Sequence, residues 1–255
     1  MLYSRSSKLC LAGLVCALAF AGCGSGKRKD DTGTLPPTGG AGYGIFVWNI
    51  YDIEDTNYTT PFTCAETGGG SVVVTLWDPA TNLSYTQDPV SCAAGQMSTA
   101  DVPAGRYVVG FDLYGDPTVY GAAPVLLDSF DATGTFDIYA GMNDFRSEVA
   151  PFRVQSLVVS WAFVSGSAAS YCAMVGAQYV DLDFLAEGGA SWVTSRFNCV
   201  SGAGVGFPIP FGPATVQWQL VLVDAANQEI AVLPGTSVGL PPATDVNLGT
   251  QIFPF

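Results

Sequence analysis

The chain has 255 residues, with 9 Lys and Arg against 22 Asp and Glu, and it has no His. This acidic balance has the wrong sign for a nucleic-acid footprint, so no nucleic-acid partner is expected. Without His there is no Ser-His-Asp triad and no histidine-ligated zinc, and every Lys lies within the first 29 residues, which removes Schiff-base and Ser-Lys chemistry from the remainder.

The chain begins with Arg5 and Lys8 and an apolar run from Leu9 to Ala21. That run is shorter than the ~20 residues of a membrane-spanning helix and matches the apolar core of a signal peptide. Leu18-Ala19-Phe20-Ala21-Gly22-Cys23 resembles the lipobox of bacterial lipoproteins, with Phe20 where Leu is usual. The resemblance implies cleavage before Cys23, lipid attached to that cysteine, and anchoring outside the cytoplasm. With Gly24 in place of the Asp that marks inner-membrane retention in many lipoproteins, the resemblance implies the outer membrane. Residues 1–22 are then the signal, and residues 23–41 are the lipidated cysteine and a flexible spacer rich in Gly, Thr and Pro. As a random coil the spacer reaches ~25 Å. Lys27, Arg28 and Lys29 lie where anionic head groups would be. Gly26-Lys27 lacks the Ser or Thr and the preceding strand of a phosphate-binding loop.

Beyond the spacer, segments of five to ten residues alternate with period two between clusters of Gly, Pro, Asn and Asp. The expected fold is all-β, with no helical apolar spacing over ten residues. Four cysteines remain there: Cys64, Cys92, Cys172 and Cys199. In an exported chain an even number reads as two disulfides, and no CxxC pair suggests zinc.

An internal repeat chooses the pairing. Cys64 and Cys92 are 28 positions apart, and Cys172 and Cys199 are 27 apart. Eight residues after the first cysteine of each pair begins a strand, at Val72 and at Val180. Each pair follows a tryptophan strand, 45–50 and 158–163, and precedes a long alternating strand. In the first copy Tyr107, Val109, Phe111 and Leu113 share a face, as do Val216, Trp218, Leu220 and Leu222 in the second. Two homologous β-sandwich domains are expected, 42–150 and 151–255, each of about seven strands and each with its own disulfide, Cys64–Cys92 and Cys172–Cys199. Trp48 and Trp161 are expected in the cores against those disulfides.

Asp101-Val102-Pro103-Ala104-Gly105-Arg106-Tyr107-Val108-Val109 resembles the turn-to-strand signature of carboxypeptidase-regulatory-like (transthyretin-like) sandwiches. The second copy keeps only Pro210, Gly212 and Val216 of it. The resemblance implies immunoglobulin-like or transthyretin-like modules of structural or adhesive use.

Candidate binding residues are the aromatics expected to point outward. Trp77 lies opposite the Val72, Val74 and Leu76 face; Tyr114 and Tyr120 are expected on similar ground, and Trp192 follows the Gly188-Gly189 turn. Such aromatics beside carboxylates suit the stacking of sugars; the competing reading packs them between domains or over a sheet edge. Asp52, Glu54 and Asp55 suggest either a Ca²⁺ loop or a solvated acidic turn, and their spacing matches no defined calcium loop. Asp181 and Asp183 read as a plain exposed strand face. No cofactor, metal or catalytic residue is expected. The sequence reads as a non-enzymatic surface lipoprotein, structural or recognising a glycan or another surface protein. The alternative is a carbohydrate-active protein that binds glycans or hydrolyses them through a carboxylate pair.

Overall fold

The structure is a computed structural model that describes residues 39–164, 167–241 and 243–254. The signal, Cys23 and nearly all of the spacer lie outside the described residues. Among those described, no helix is long and apolar enough to cross a membrane.

The fold is all-β. The first half comprises β1 (Ala41–Asp52), β2 (Gly69–Asp78), β3 (Leu83–Thr86), β4 (Val90–Ser91), β5 (Gln96–Ser98), β6 (Val102–Pro103), β7 (Gly105–Gly115), the helical turn α1 (Pro117–Tyr120), β8 (Leu126–Asp131), β9 (Phe136–Ile138), β10 (Gly141–Asp144) and β11 (Ala150–Val154). The second comprises β12 (Ser156–Phe163), α2 (Ala168–Val175), β13 (Ala177–Ala186), β14 (Val193–Asn198), β15 (Ala203–Pro208), β16 (Thr215–Asp224), β17 (Glu229–Pro234), β18 (Val238–Gly239) and β19 (Val246–Phe253).

The same pairing scheme occurs twice. In one sheet of the first half, β1 pairs antiparallel with β5 and β6 and parallel with β10 and β11. In the second half, β12 pairs antiparallel with β15 and parallel with β19. The other sheet of the first half runs β3-β2-β7-β8, with β4 on β2 and β9 on β7. Its counterpart runs β14-β13-β16-β17, with β18 on β16. Gln155 alone separates β11, which pairs with β1, from β12, which pairs with β15 and β19.

Period-two alternation explains the layers. Phe46, Trp48 and Ile50 of β1 are buried, as are Val72, Val74 and Leu76 of β2 and Tyr107, Val109, Phe111 and Leu113 of β7. Because successive side chains point to opposite faces, each strand gives one face to the core. The sheets meet through aromatic rings: Phe46 meets Phe111 and Phe136 edge-on at 5.8 and 5.7 Å, and Trp161 lies tilted at 5.9 Å from Phe197. The resembling turn also closes as a corner, with the Tyr107 hydroxyl donating to the Pro103 carbonyl at 2.5 Å.

Cys64 is bonded to Cys92 and Cys172 to Cys199, with Cα separations of 5.9 and 6.1 Å. Cys172 sits on α2, a helix that the strand reading missed. Eight residues are too few for an apolar period to declare itself; the local signals are its ends. The Ser167 hydroxyl accepts from the Ser170 N–H, and Gly176 closes the helix in the left-handed conformation at φ 74°.

The two halves touch. The Phe211 N–H donates to the Leu126 carbonyl of the first half, and the Ile209 N–H to the carbonyl of the linking residue Gln155, both at 2.7 Å. A single apolar cluster includes residues from both halves.

Candidate ligand-binding face

The solvent face of the β2–β7 sheet carries the strongest candidate. Ser71, Val73, Thr75 and Trp77 point outward from β2, opposite Tyr114, Asp112, Gly110 and Val108 of β7. Trp77 is 38% exposed. Its indole N–H donates to the Asn82 side chain at 3.3 Å, so the hairpin turn that follows the strand fixes the ring. Asp78 orders that turn by accepting from the Ala80 N–H and the Thr81 hydroxyl. The Thr81 hydroxyl is the main reason its carboxyl lies below the ordinary range.

Between the ends of this face lie polar groups. Thr75 and Thr86 share a hydroxyl–hydroxyl bond at 3.2 Å, and the Ser129 hydroxyl donates to Asp112 at 2.7 Å. Gly110 lets the Asp131 carboxylate lie close against the strand: a Cβ there would stand 3.0 Å from it. At the far end Tyr114 lines a hollow of about 360 Å³ with Ser71, Val73, Pro89, Pro117 and Pro124. From Trp77 to Ser71 the strand covers ~20 Å. The face therefore has an aromatic at each end and hydroxyls and carboxylates between. Arg106, at the start of β7, makes a two-pronged pair with Asp137 at 2.8 and 3.1 Å.

The equivalent face of the second half is closed by its own side chains. Arg196 grips Asp181 through two bonds of 2.7 Å and lies 4.9 Å over the Tyr179 ring. Asp183 accepts from the Thr194 hydroxyl and the Gln219 amide. Asp181 is buried, contrary to the plain exposed face expected for it, because Arg196 covers it from the neighbouring strand.

Tyr120 also departs from expectation: it is buried, at 6% exposure. Asp116 caps α1 by accepting from the Thr118 N–H, and the turn swings Tyr120 back over Gly115, where a Cβ would come within 2.3 Å of the ring. The hydroxyl then donates toward the carbonyls of Thr67 at 3.2 Å and Pro208 at 2.9 Å, which ties the two halves together. Burial pushes this phenol far above its ordinary range.

Trp192 is 45% exposed in the loop between β13 and β14. Its neighbours Ser191 and Val193 line a second hollow of about 370 Å³ between the halves, together with Tyr120, Phe184 and Pro210. Both hollows are bounded by Ala122, Ala123 and Pro124. The structure thus brings Tyr114 and the Trp192 loop to hollows that share one short segment, while Trp77 stands at the other end of its strand.

The acidic turn is occupied by its own backbone. Asp55 accepts from the Asn57, Thr59 and Thr60 N–H groups, and the Thr60 bond leads in holding its carboxyl below the usual range. The Asp52 carboxylate accepts from the Glu54 N–H at 2.7 Å. Among the described residues, no group of three or more Cys, Asp and Glu is placed to hold a metal ion.

No family model matches this chain, and no curated protein matches it. Among solved structures it is similar to a leucine-rich repeat protein from Bacteroides thetaiotaomicron, at 13% identity and TM-score 0.30. That match takes in 85% of this chain and 26% of the other, so this chain spans about a quarter of that protein's length. It is also similar to a proposed polysaccharide-binding protein of the same organism, at 11% identity and TM-score 0.36, over 85% of this chain and 92% of the other. A proposed adhesin from Bacteroides ovatus follows at 12% identity and TM-score 0.29, covering 83% and 87%. At these values the likeness assigns neither a family nor a ligand.

Proposed function

We propose that this chain is a lipid-anchored surface recognition module that binds without turnover. In this reading residues 1–22 are a signal peptide, Cys23 carries the lipid, and the spacer holds two sandwich domains off the outer membrane, with the boundary at Gln155 rather than after 150 because β11 pairs with β1. The observation that supports recognition is the contrast between equivalent faces. The β2–β7 face leaves Trp77 exposed and Tyr114 lining an open hollow, whereas Arg196 seals the matching face of the second half.

The chemistry of the open face suits an uncharged, hydroxyl-rich chain such as a neutral glycan. Flat aromatic surfaces pack against the apolar faces of sugar rings, while Thr75, Thr86, Ser129 and Asp112 offer hydrogen-bonding partners between them. Asp112 and Asp131 repel anionic ligands, and Arg106 is already paired with Asp137. Immobilised neutral and anionic polysaccharides test this. Retention is expected on a neutral polymer, with Trp77→Ala and Tyr114→Ala each weakening it by about tenfold, as expected for an anchor residue worth over ~1 kcal/mol. Retention on anionic polymers alone, or turnover of a glycan abolished by one carboxylate-to-amide change, overturns the reading.

A further inference from the structure

The end of the first half where the spacer joins carries an exposed apolar tip. β1 starts at Ala41, and the loop from Tyr139 to Met142 lies against its first residues. A Cβ on Gly40 would stand 3.0 Å from the Ala140 methyl, and one on Gly42 would collide with the Tyr139 carbonyl. The buried Asn143 side chain holds this loop. Its Oδ1 accepts from the Tyr139 N–H at 3.0 Å, and its amide donates to the carbonyls of Tyr139 and Gly141 at 2.9 and 3.0 Å. The same amide reaches the Tyr43 carbonyl at 3.2 Å, which ties the loop to β1. Tyr139, 48% exposed, and Met142, 64% exposed, are therefore presented on a fixed turn. Met142 lies beside Tyr43 in register, and the Tyr43 ring is half-buried on the outward face of β1.

We propose that, on the reading of Cys23 as the lipid site, Tyr43, Tyr139 and Met142 rest in the head-group region of the membrane that tethers the chain. The position of the tether selects this occupant. Only residues 24–38 separate Cys23 from Gly39, and the coil reach of the spacer is ~25 Å, so this end of the fold stays within reach of the bilayer. A contact made across a short tether is intramolecular and works at an effective concentration in the mM range. A contact too weak to hold a free chain is then enough to seat a tethered one. The residue types fit: Tyr has an apolar ring and a polar tip suited to the membrane–water interface, and Met is a pliable apolar chain. None of the three belongs to the β2–β7 face.

The charges around the tip permit this contact. Asp137 and Asp144, which flank the loop in the chain, are each gripped by an arginine: Arg106 at 2.8 and 3.1 Å, and Arg146 at 2.9 and 2.6 Å. Neither presents an uncompensated charge to the head groups. Asp101, next to the Val102 that pairs with Gly42, adds one exposed carboxylate. A zwitterionic surface avoids the repulsion that a strongly anionic one would add, and is the expected partner.

The test uses the whole chain from Cys23 onward, coupled through Cys23 to a maleimide-bearing lipid in phosphatidylcholine nanodiscs that contain a spin-labelled head group. The other cysteines of that chain are in disulfides, so Cys23 is the thiol that reacts. Methionine methyl signals carry the readout: Met142 is at the tip, Met174 is as exposed on α2 of the second half, at 69%, and Met97 is buried. Paramagnetic broadening is expected to be severalfold stronger for Met142 than for Met174. Tyr139→Ser is expected to reduce it, with an unshifted Met97 signal reporting an intact fold. Equal broadening of Met142 and Met174, a Met142 signal as sharp as that of Met97, or unchanged broadening in Tyr139→Ser overturns the proposal. So does a Met142 shift that grows with protein concentration without lipid, which would assign the tip to a second copy of the chain. Because the lipid is attached chemically, these outcomes do not depend on whether cells acylate Cys23; acyl labelling tests that reading separately.

Discussion

Trp48 donates its indole N–H to the backbone carbonyl of Cys92 at 3.0 Å, and Trp161 makes the same bond to Cys199 at 2.8 Å. The backbone N–H groups of the two tryptophans donate to Gly95 and Gly202, which hold matching left-handed conformations at φ 66° and 71°. The duplication thus extends to individual atoms. In each half a buried tryptophan of one sheet holds the disulfide-bearing segment that flanks the other.

Replacing either tryptophan with Phe keeps most of the apolar volume but removes the indole donor, although the Cys92 carbonyl keeps a second donor, the Gly95 N–H at 3.1 Å. Each substitution is expected to cost about 1–3 kcal/mol. Urea denaturation checks this, with the smaller loss expected for Trp48→Phe because the Cys92 carbonyl keeps the Gly95 N–H.

Each disulfide closes a loop within one half, with sequence separations of 28 and 27. In the chain-entropy model such loops contribute about 3–4 kcal/mol apiece. Cys64→Ala/Cys92→Ala and Cys172→Ala/Cys199→Ala are each expected to lose roughly that much in chemical denaturation. Non-reducing peptide mapping is expected to recover the two pairs and no crossed peptide.

Tyr120→Phe removes one hydroxyl that reaches carbonyls in both halves. A loss of about 1–3 kcal/mol is expected. Hydrogen exchange is expected to show weakened protection around Pro208 as well as around Thr67. A loss confined to the first half would mean that the Pro208 bond contributes nothing to the junction.

Cys23→Ala tests the anchor. Unprocessed precursor is expected to accumulate and acyl labelling to disappear; equal labelling of both forms would mean that the lipid lies elsewhere.

The repeated sheet scheme was legible because it rests on local quantities: alternation along each strand, the offset from cysteine to strand, and tryptophans placed upstream. The exposure of Trp77 was legible for the same reason, since Val72, Val74 and Leu76 determine which way it points. Tyr120 was not, because its position depends on a capped turn folding it over Gly115 and on Pro208 arriving from 88 residues away. The sealing of Asp181 required knowing that Arg196 lies directly across in register. The meeting of Asp245 with Glu54 spans 191 residues and leaves no mark in either local segment. What escaped the sequence was long-range, and most of it concerns how one half meets the other.

The most direct test of the recognition reading is a titration with a soluble neutral polysaccharide that the chain retains, followed through the indole N–H signals of its tryptophans. The account predicts that the Trp77 signal shifts saturably, while the buried Trp48 and Trp161 signals and the Trp192 signal stay in place. Saturable binding that moves Trp192 and leaves Trp77 unchanged would contradict it and place recognition at the hollow between the two halves.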